Sequence, residues 1–108
     1  MYHFSMPNAV ATLFNRAMID GNTARFGHCH HNSDRSENDI FVGTVFDKRN
    51  QLMTYVDIGF RIDENHICII FWFGRNERYE TFVSIGHEDE VNEDVYRSFQ
   101  AALDHAAI

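Results

Sequence analysis

Histidines are concentrated in one short segment, at positions 28, 30 and 31, with Cys29 among them. In an extended chain His28 and His30 project to the same side, which can present two imidazoles to one metal ion. Cys29 and His31 then face the other side. A further ligand would have to come from a distant position: His3, His66 or His87. The segment allows two interpretations, a metal site at His28 and His30 or a partly exposed histidine cluster on a loop or edge strand.

No local pattern in the sequence matches a known arrangement of catalytic residues. Nucleophilic catalysis needs a cysteine or serine beside a histidine that an acid orients. Cys68 lies in the most apolar segment, where burial raises the pKa of a thiol and makes it unreactive. The sequence also lacks glycine-rich phosphate loops, zinc-protease motifs and CxxC pairs. We therefore expect a protein that is not an enzyme and uses no cofactor.

Acidic residues are concentrated towards the C-terminal end. The formal net charge is −7, and residues 88–108 hold six acids against Arg97 alone. Five of these acids open the last predicted helix: Glu88, Asp89, Glu90, Glu93 and Asp94. One interpretation is that they stabilise the helix dipole and keep the protein soluble. The other is a negative patch that binds lysine and arginine side chains of a partner and imitates the phosphate spacing of a nucleic acid.

The charge balance argues against nucleic acid as a direct ligand. Contact with phosphates depends on lysine and arginine, and this chain has nine of them against 16 acids. The longest apolar run, residues 67–73, is far shorter than the roughly 20 residues of a membrane helix, and no secretory leader pattern is visible. Two cysteines without a disulfide framework fit a reducing compartment. We expect a soluble, cytoplasmic protein with a basic protein partner and no membrane contact.

Hydrophobic periodicity predicts a helix near each end of the chain. The first helix has apolar residues at helical spacing: Val10, Leu13, Phe14, Ala17 and Met18. We expect Ser5 or Asn8 to cap it, Pro7 to lie in its first turn, and Gly21 to end it in a left-handed conformation. The second helix is predicted over about residues 89–107, with its acids in the first turns.

Alternating apolar and polar residues between the helices predict an antiparallel β-meander of four to five strands. Four strands follow from the pattern: residues 39–46, 52–62, 66–73 and 78–85. Residues 23–31 are ambiguous and form either an additional edge strand or a loop. The predicted fold is a single α+β domain over residues 1–108, in which an N-terminal helix precedes the meander and a C-terminal helix follows it.

Residues 67–73 are apolar on both faces of the predicted sheet. One face would carry Ile67, Ile69, Phe71 and Phe73, and the other Cys68, Ile70 and Trp72. An antiparallel strand with one wet face normally alternates apolar and polar residues. Either one helix covers each face, or a second copy or another protein covers one of them. We count Trp72, and Tyr55 from the preceding strand, as partner-binding candidates beside the acidic helix.

Three functional hypotheses follow from these patterns. The leading one is a small, acidic, non-enzymatic protein-binding module, such as a phage-type or immunity-like inhibitor of a basic nucleic-acid-handling protein. It would act through its acidic helix, its exposed sheet face or both. The alternative is a small metal- or ligand-binding protein that uses His28 and His30. The third is a structural subunit that forms a homodimer and has no separate activity.

Overall fold

Two helices flank five strands in the computed structural model of the protein. The elements are α1 (Asn8–Ile19), β1 (Thr23–His31), β2 (Ile40–Phe46), β3 (Tyr55–Ile62), β4 (His66–Phe73), β5 (Glu77–Ser84) and α2 (Glu93–Ala106). The structure describes residues 6–31, 39–48, 54–74, 77–84 and 93–106, without the side chains of residues 26–31. The predicted α+β class is confirmed, with a helix on each side of a meander.

The five strands form one antiparallel sheet in the order β1-β2-β3-β4-β5. Residues 23–31, which the sequence left ambiguous, form the edge strand β1. The β1–β2 ladder shifts register between Phe26 and His30, and the β2–β3 ladder shifts between Phe41 and Gly43. The β3–β4 and β4–β5 ladders run without a shift. The regular half of the sheet is therefore β3 to β5.

Helix α1 begins differently from the prediction. Pro7 is its N-cap residue, and the Pro7 carbonyl accepts hydrogen bonds from the N–H groups of Val10 and Ala11. Asn8 is already helical, and no side chain caps the helix by a hydrogen bond. The expected cap at Asn8 is therefore wrong, because the rigid φ of Pro7 already sets the first turn. Ser5, the other expected cap, lies outside the described residues.

The C-terminal end of α1 follows the prediction. Gly21 has a φ of 95°, a left-handed conformation that disfavours side chains, and its N–H donates to the carbonyl of Met18. The Asn22 N–H donates to the carbonyl of Ala17. The chain therefore turns sharply from α1 into β1, which places Asp20 and Asn22 side by side at the sheet edge.

Both helices pack on the same face of the sheet. Their buried residues belong to one core: Val10, Leu13, Phe14 and Ala17 of α1 and Val95, Tyr96, Phe99, Ala102 and Leu103 of α2. Phe99 lies over Phe71 of β4, with ring centroids 6.0 Å apart. The alternative of one helix on each sheet face is therefore wrong. Within the described residues, neither helix is long and apolar enough to cross a lipid bilayer.

Candidate functional site

A cleft beside α2 collects side chains from three separate elements. Its volume is about 340 Å³. We call it the acidic cleft; its lining is Asp20, Asn22, Asp47, Lys48, Tyr96, Gln100, Leu103 and Asp104. Three aspartates face one lysine in this lining. The chemistry of the cleft is therefore that of an anionic site.

Two backbone contacts hold one wall of the acidic cleft in place. The Lys48 N–H donates to Asn22 Oδ1 over 2.8 Å, which ties the end of β2 to the turn after α1. The Asp47 N–H donates to the carbonyl of Thr54 over 3.0 Å. Asp47 is only 4% exposed, so its carboxylate belongs to the buried part of the lining. This wall is therefore set by the fold more than by flexible surface side chains.

The opposite wall is one side of α2. Tyr96, Gln100, Leu103 and Asp104 follow one another at spacings of four, three and one residues, so they share one helical side. The α1 helix ends at the cleft, with Asp20 as its C-cap residue. The carbonyl end of a helix carries a partial negative charge, which adds to that of the aspartates. Both effects favour a cationic ligand.

Arg16 of α1 joins the two helices next to the acidic cleft. Its Nη1 donates to Glu93 Oε1 over 2.6 Å, and its guanidinium lies 4.0 Å from the ring centroid of Tyr96. The hydrogen bond that Arg16 donates to Glu93 raises the pKa of Arg16, and the same bond lowers the pKa of Glu93. Glu93, a predicted partner-binding residue, therefore already has a cationic partner within the chain.

The sheet face opposite the helices, which we call the second face, has a small core of its own. Cys68, Ile70 and Trp72 are at most 3% exposed, and Phe41 packs beside them. Trp72 and Phe71 are thus both shielded from water, on opposite faces of β4. Neither of the two described helices covers the second face, so other groups must shield these residues.

A buried carboxylate spans the second face. Asp39, directly before β2, is fully buried and accepts hydrogen bonds from Arg61 Nη1 at 3.3 Å and from Arg78 Nη1 at 3.1 Å. Arg61 stands opposite Cys68 and Arg78 opposite Trp72 in the ladders, so the two arginines flank β4. The bridge therefore passes over Ile70, which lies between those positions, and helps to shield it within a single chain.

Further polar contacts anchor this bridge. Arg61 Nε donates to Asp63 Oδ1 over 3.2 Å, and Arg78 also pairs with Glu80. The Arg78–Glu80 pair lies within one strand, and Arg61 bonds to both Asp39 and Asp63. The carboxylate of Asp57 accepts from Thr44 Oγ1 at 2.7 Å.

The structure separates the predicted partner-binding residues. Asp94 is exposed, with 83% of its side chain accessible, and Tyr55 is 46% exposed and contacts Phe46. Trp72 is buried, so its side chain belongs to the core of the second face and not to its exposed surface. Glu88, Asp89 and Glu90 lie outside the described residues.

The predicted metal ligands lie on β1. The backbone of His28 and His30 belongs to the strand, but the register shift between Phe26 and His30 interrupts the regular alternation on which the predicted pairing of imidazoles depends. Their side chains lie outside the described part of the structure. Among the described side chains, no group of three His, Cys, Asp or Glu could hold a metal ion.

Sequence reasoning missed both carboxylate arrangements. Asp20 follows α1, Asp47 follows β2 and Asp39 precedes β2. No local motif connects Asp20, Asp47 and Asp104, because the three residues stand at the end of α1, after β2 and within α2. The one signal in the sequence is that each of these aspartates stands close to the end of a helix or strand. Acids are too common at such positions to indicate a site.

Comparisons with known protein families, with curated proteins and with solved structures find no match for this chain. The function of this chain is therefore inferred from the chemistry of the site itself.

Proposed function

We propose that this protein is a small, non-enzymatic protein-binding module whose acidic cleft takes a basic side chain of a protein partner. The observation that carries the proposal is the convergence of Asp20, Asp47 and Asp104 on one cleft. An arginine or lysine side chain is the protein group that best complements three carboxylates and a helix C-terminus.

The overall charge supports a basic partner. The chain carries −7, and clefts lined by one sign of charge concentrate the field and speed the association of an oppositely charged partner. Asp94, at the start of α2, is exposed and lies 3.8 Å from Arg97, so its charge is partly compensated. The Arg16–Glu93 ion pair neutralises one negative charge in the first turn of α2. We therefore give the acidic cleft, rather than that turn, the central role in binding.

A strongly basic surface is typical of proteins that handle nucleic acids, and we propose that this protein inhibits such a partner. Such proteins present lysine and arginine to phosphates, and an acidic protein can occupy the same surface. The cytoplasmic location expected from the sequence belongs to this proposal. It agrees with Cys68 being a free, buried thiol, which is ordinary in a reducing compartment.

The proposal is tested with a short arginine-rich peptide as the probe and the matching glutamate-rich peptide as its comparison. We expect binding of the basic peptide alone, measured by calorimetry at low salt, and weaker binding as salt rises. Asp104→Asn should weaken binding by about fivefold to tenfold, as expected for loss of one charged contact of about 1 kcal/mol.

The control removes the same charge elsewhere. Glu64 is exposed in the β3–β4 turn, at the end of the sheet away from the acidic cleft. Glu64→Gln should leave the affinity for the basic peptide almost unchanged. Equal losses in the two variants would mean that only net charge matters, and the cleft would lose its role.

The other two hypotheses stay predictions. For metal or ligand binding at His28 and His30, the described part of the structure offers no supporting contact. The self-association inferred from β4 loses its original reason, because Cys68, Ile70 and Trp72 are buried within one chain.

A further inference from the structure

The two edges of the sheet differ in regularity. In β1 the ladder to its neighbour shifts register between Phe26 and His30, and such irregularities are a usual protection of an edge strand. In β5 the ladder to β4 is regular over the whole of Glu77–Ser84, and this strand contains no proline, glycine or lysine. Beyond β5 the sheet has no further strand among the described residues. Of the common devices that prevent pairing with another strand, β5 therefore has charged side chains but no register shift, proline or lysine.

The charges on β5 restrict which pairing is acceptable. Two copies related by a two-fold axis perpendicular to the sheet must pair antiparallel, with one residue opposite its own counterpart on the axis. If Glu80 lies on the axis, two like charges stand directly opposite each other, which is destabilising. If Tyr79 lies on the axis, Arg78 of each copy stands opposite Glu80 of the other. That register is self-complementary in charge.

We propose that β5 is a homodimer interface, in which two copies pair through this edge in the register that puts Tyr79 on the two-fold axis. The result is one continuous sheet of ten strands. On the second face, the Arg78–Glu80 pair of each copy joins that of the other to form a four-residue charge network. On the helix side, Tyr79 meets Tyr79 of the other copy.

The surroundings of Tyr79 suit this position. Its ring is half-buried and stacks on Phe73 at a centroid distance of 5.2 Å, and it meets the edge of His105 at 5.3 Å. A rigid aromatic side chain held in this way loses little conformational entropy when it enters an interface. The rings of Tyr79, Phe73 and His105 are therefore already packed together at the centre of the proposed interface.

Helix α2 leaves room for the second copy. It contacts β5 and β4 more than β3, so it lies over β4 and β5. In the dimer the two α2 helices would be two to three strand spacings apart, about 10–14 Å. Packed helices lie roughly 8–10 Å apart, so the two α2 helices would be at packing distance or beyond and would not collide.

The first test measures oligomeric state without any partner protein, so its outcome is independent of the acidic cleft. Sedimentation velocity over a wide concentration range should show a reversible monomer–dimer equilibrium. Glu80→Arg would place Arg78 opposite a second arginine at both pairs, and we expect it to raise the dimer dissociation constant on the order of tenfold or more. Glu64→Gln, in the β3–β4 turn at the other end of β4 from the axis at Tyr79, should leave the constant unchanged.

The second test fixes the register by cross-linking in a Cys29→Ser background. Tyr79→Cys puts two thiols opposite each other on the axis, where a disulfide can form under mild oxidation. Thr81→Cys is the control, because in this register each introduced thiol faces Glu77 and the two thiols lie more than about 10 Å apart. We expect covalent dimers from Tyr79→Cys and none from Thr81→Cys.

Each outcome has a defined meaning. A monomer at all concentrations, with no cross-linking at position 79, overturns the proposal. A dimer that Glu80→Arg leaves intact and that cross-links at neither position would use another surface, which also overturns it. Cross-linking at position 81 rather than 79 rejects the proposed register. If thermal unfolding shows that Tyr79→Cys does not fold, the sedimentation of Glu80→Arg decides the question alone.

Discussion

The indole of Trp72 lies directly against the backbone of Gly59 on the neighbouring strand. A Cβ at position 59 would come within 2.6 Å of two ring atoms of Trp72 and within 2.3 Å of the carbonyl oxygen of Ile40. The first neighbour is a ring packed into the core of the second face, and the other is backbone. Position 59 therefore requires glycine, because the Trp72 ring and the Ile40 carbonyl both lie too close for a side chain.

We predict that Gly59→Ala lowers the free energy of unfolding by about 2–3 kcal/mol, since an inserted methyl group in a packed site forces side chains and backbone to move. Urea unfolding followed by Trp72 fluorescence measures the change. Gly74→Ala is the comparison, because Gly74 has a φ of 68° but a Cβ there would meet only the Glu77 side chain, at an ordinary contact distance of 3.9 Å. We expect about 1 kcal/mol there. Equal losses at the two positions would contradict the crowding at Gly59.

Asp39 should be the most sensitive acid among the described residues. Asp39→Asn keeps the shape but removes the charge that two arginines share, and we expect a loss of about 2–3 kcal/mol in unfolding free energy at pH 7. Asp63→Asn is the matched variant, because Asp63 also accepts from Arg61 but is 41% exposed. Its loss should stay below about 1 kcal/mol. Similar losses in both variants would show that burial of Asp39 does not matter.

The pKa of Glu93 should depend on Arg16. The hydrogen bond from Arg16 lowers this pKa below the ordinary value of 4.5 in the folded protein. The pair therefore stabilises the fold above pH 4.5, and the contribution is lost as the pH falls through the lowered pKa. In Arg16→Gln, carboxyl chemical shifts in an NMR titration should report a pKa of Glu93 closer to 4.5. Arg97→Gln, which removes the weaker electrostatic effect, should change it less.

Cys68 should be unreactive in the native protein. Burial raises its pKa to about 11, so at pH 8 only about one thiol in a thousand is ionised. In Cys29→Ser, iodoacetamide should label Cys68 slowly under native conditions and rapidly in urea. Because the folded pKa exceeds that of the unfolded thiol, stability should also fall as the pH rises from 9 towards 11. Native labelling at pH 8 as fast as in urea would refute the prediction.

Local patterns were enough to identify most of the fold. The helical spacing of Val10, Leu13, Phe14 and Ala17 predicted the buried face of α1. The two-residue period of a strand predicted which residues of β4 share a sheet face. These predictions succeed because a helix and a strand have fixed periods, so the residues of one buried surface recur at regular intervals in the sequence. Met18 departs from the pattern, being 50% exposed at the end of its helix.

The sequence by itself determined the α+β class, the antiparallel meander, the net charge and the apolar character of both sides of β4. The tertiary structure alone decided that both helices share one face, that Asp39 bridges Arg61 and Arg78 across β4, and that Asp20, Asp47 and Asp104 meet in one cleft. The physical reason is distance along the chain. Secondary structure follows from neighbours a few positions apart, whereas these arrangements depend on how separate elements pack, and packing leaves no regular spacing in the sequence.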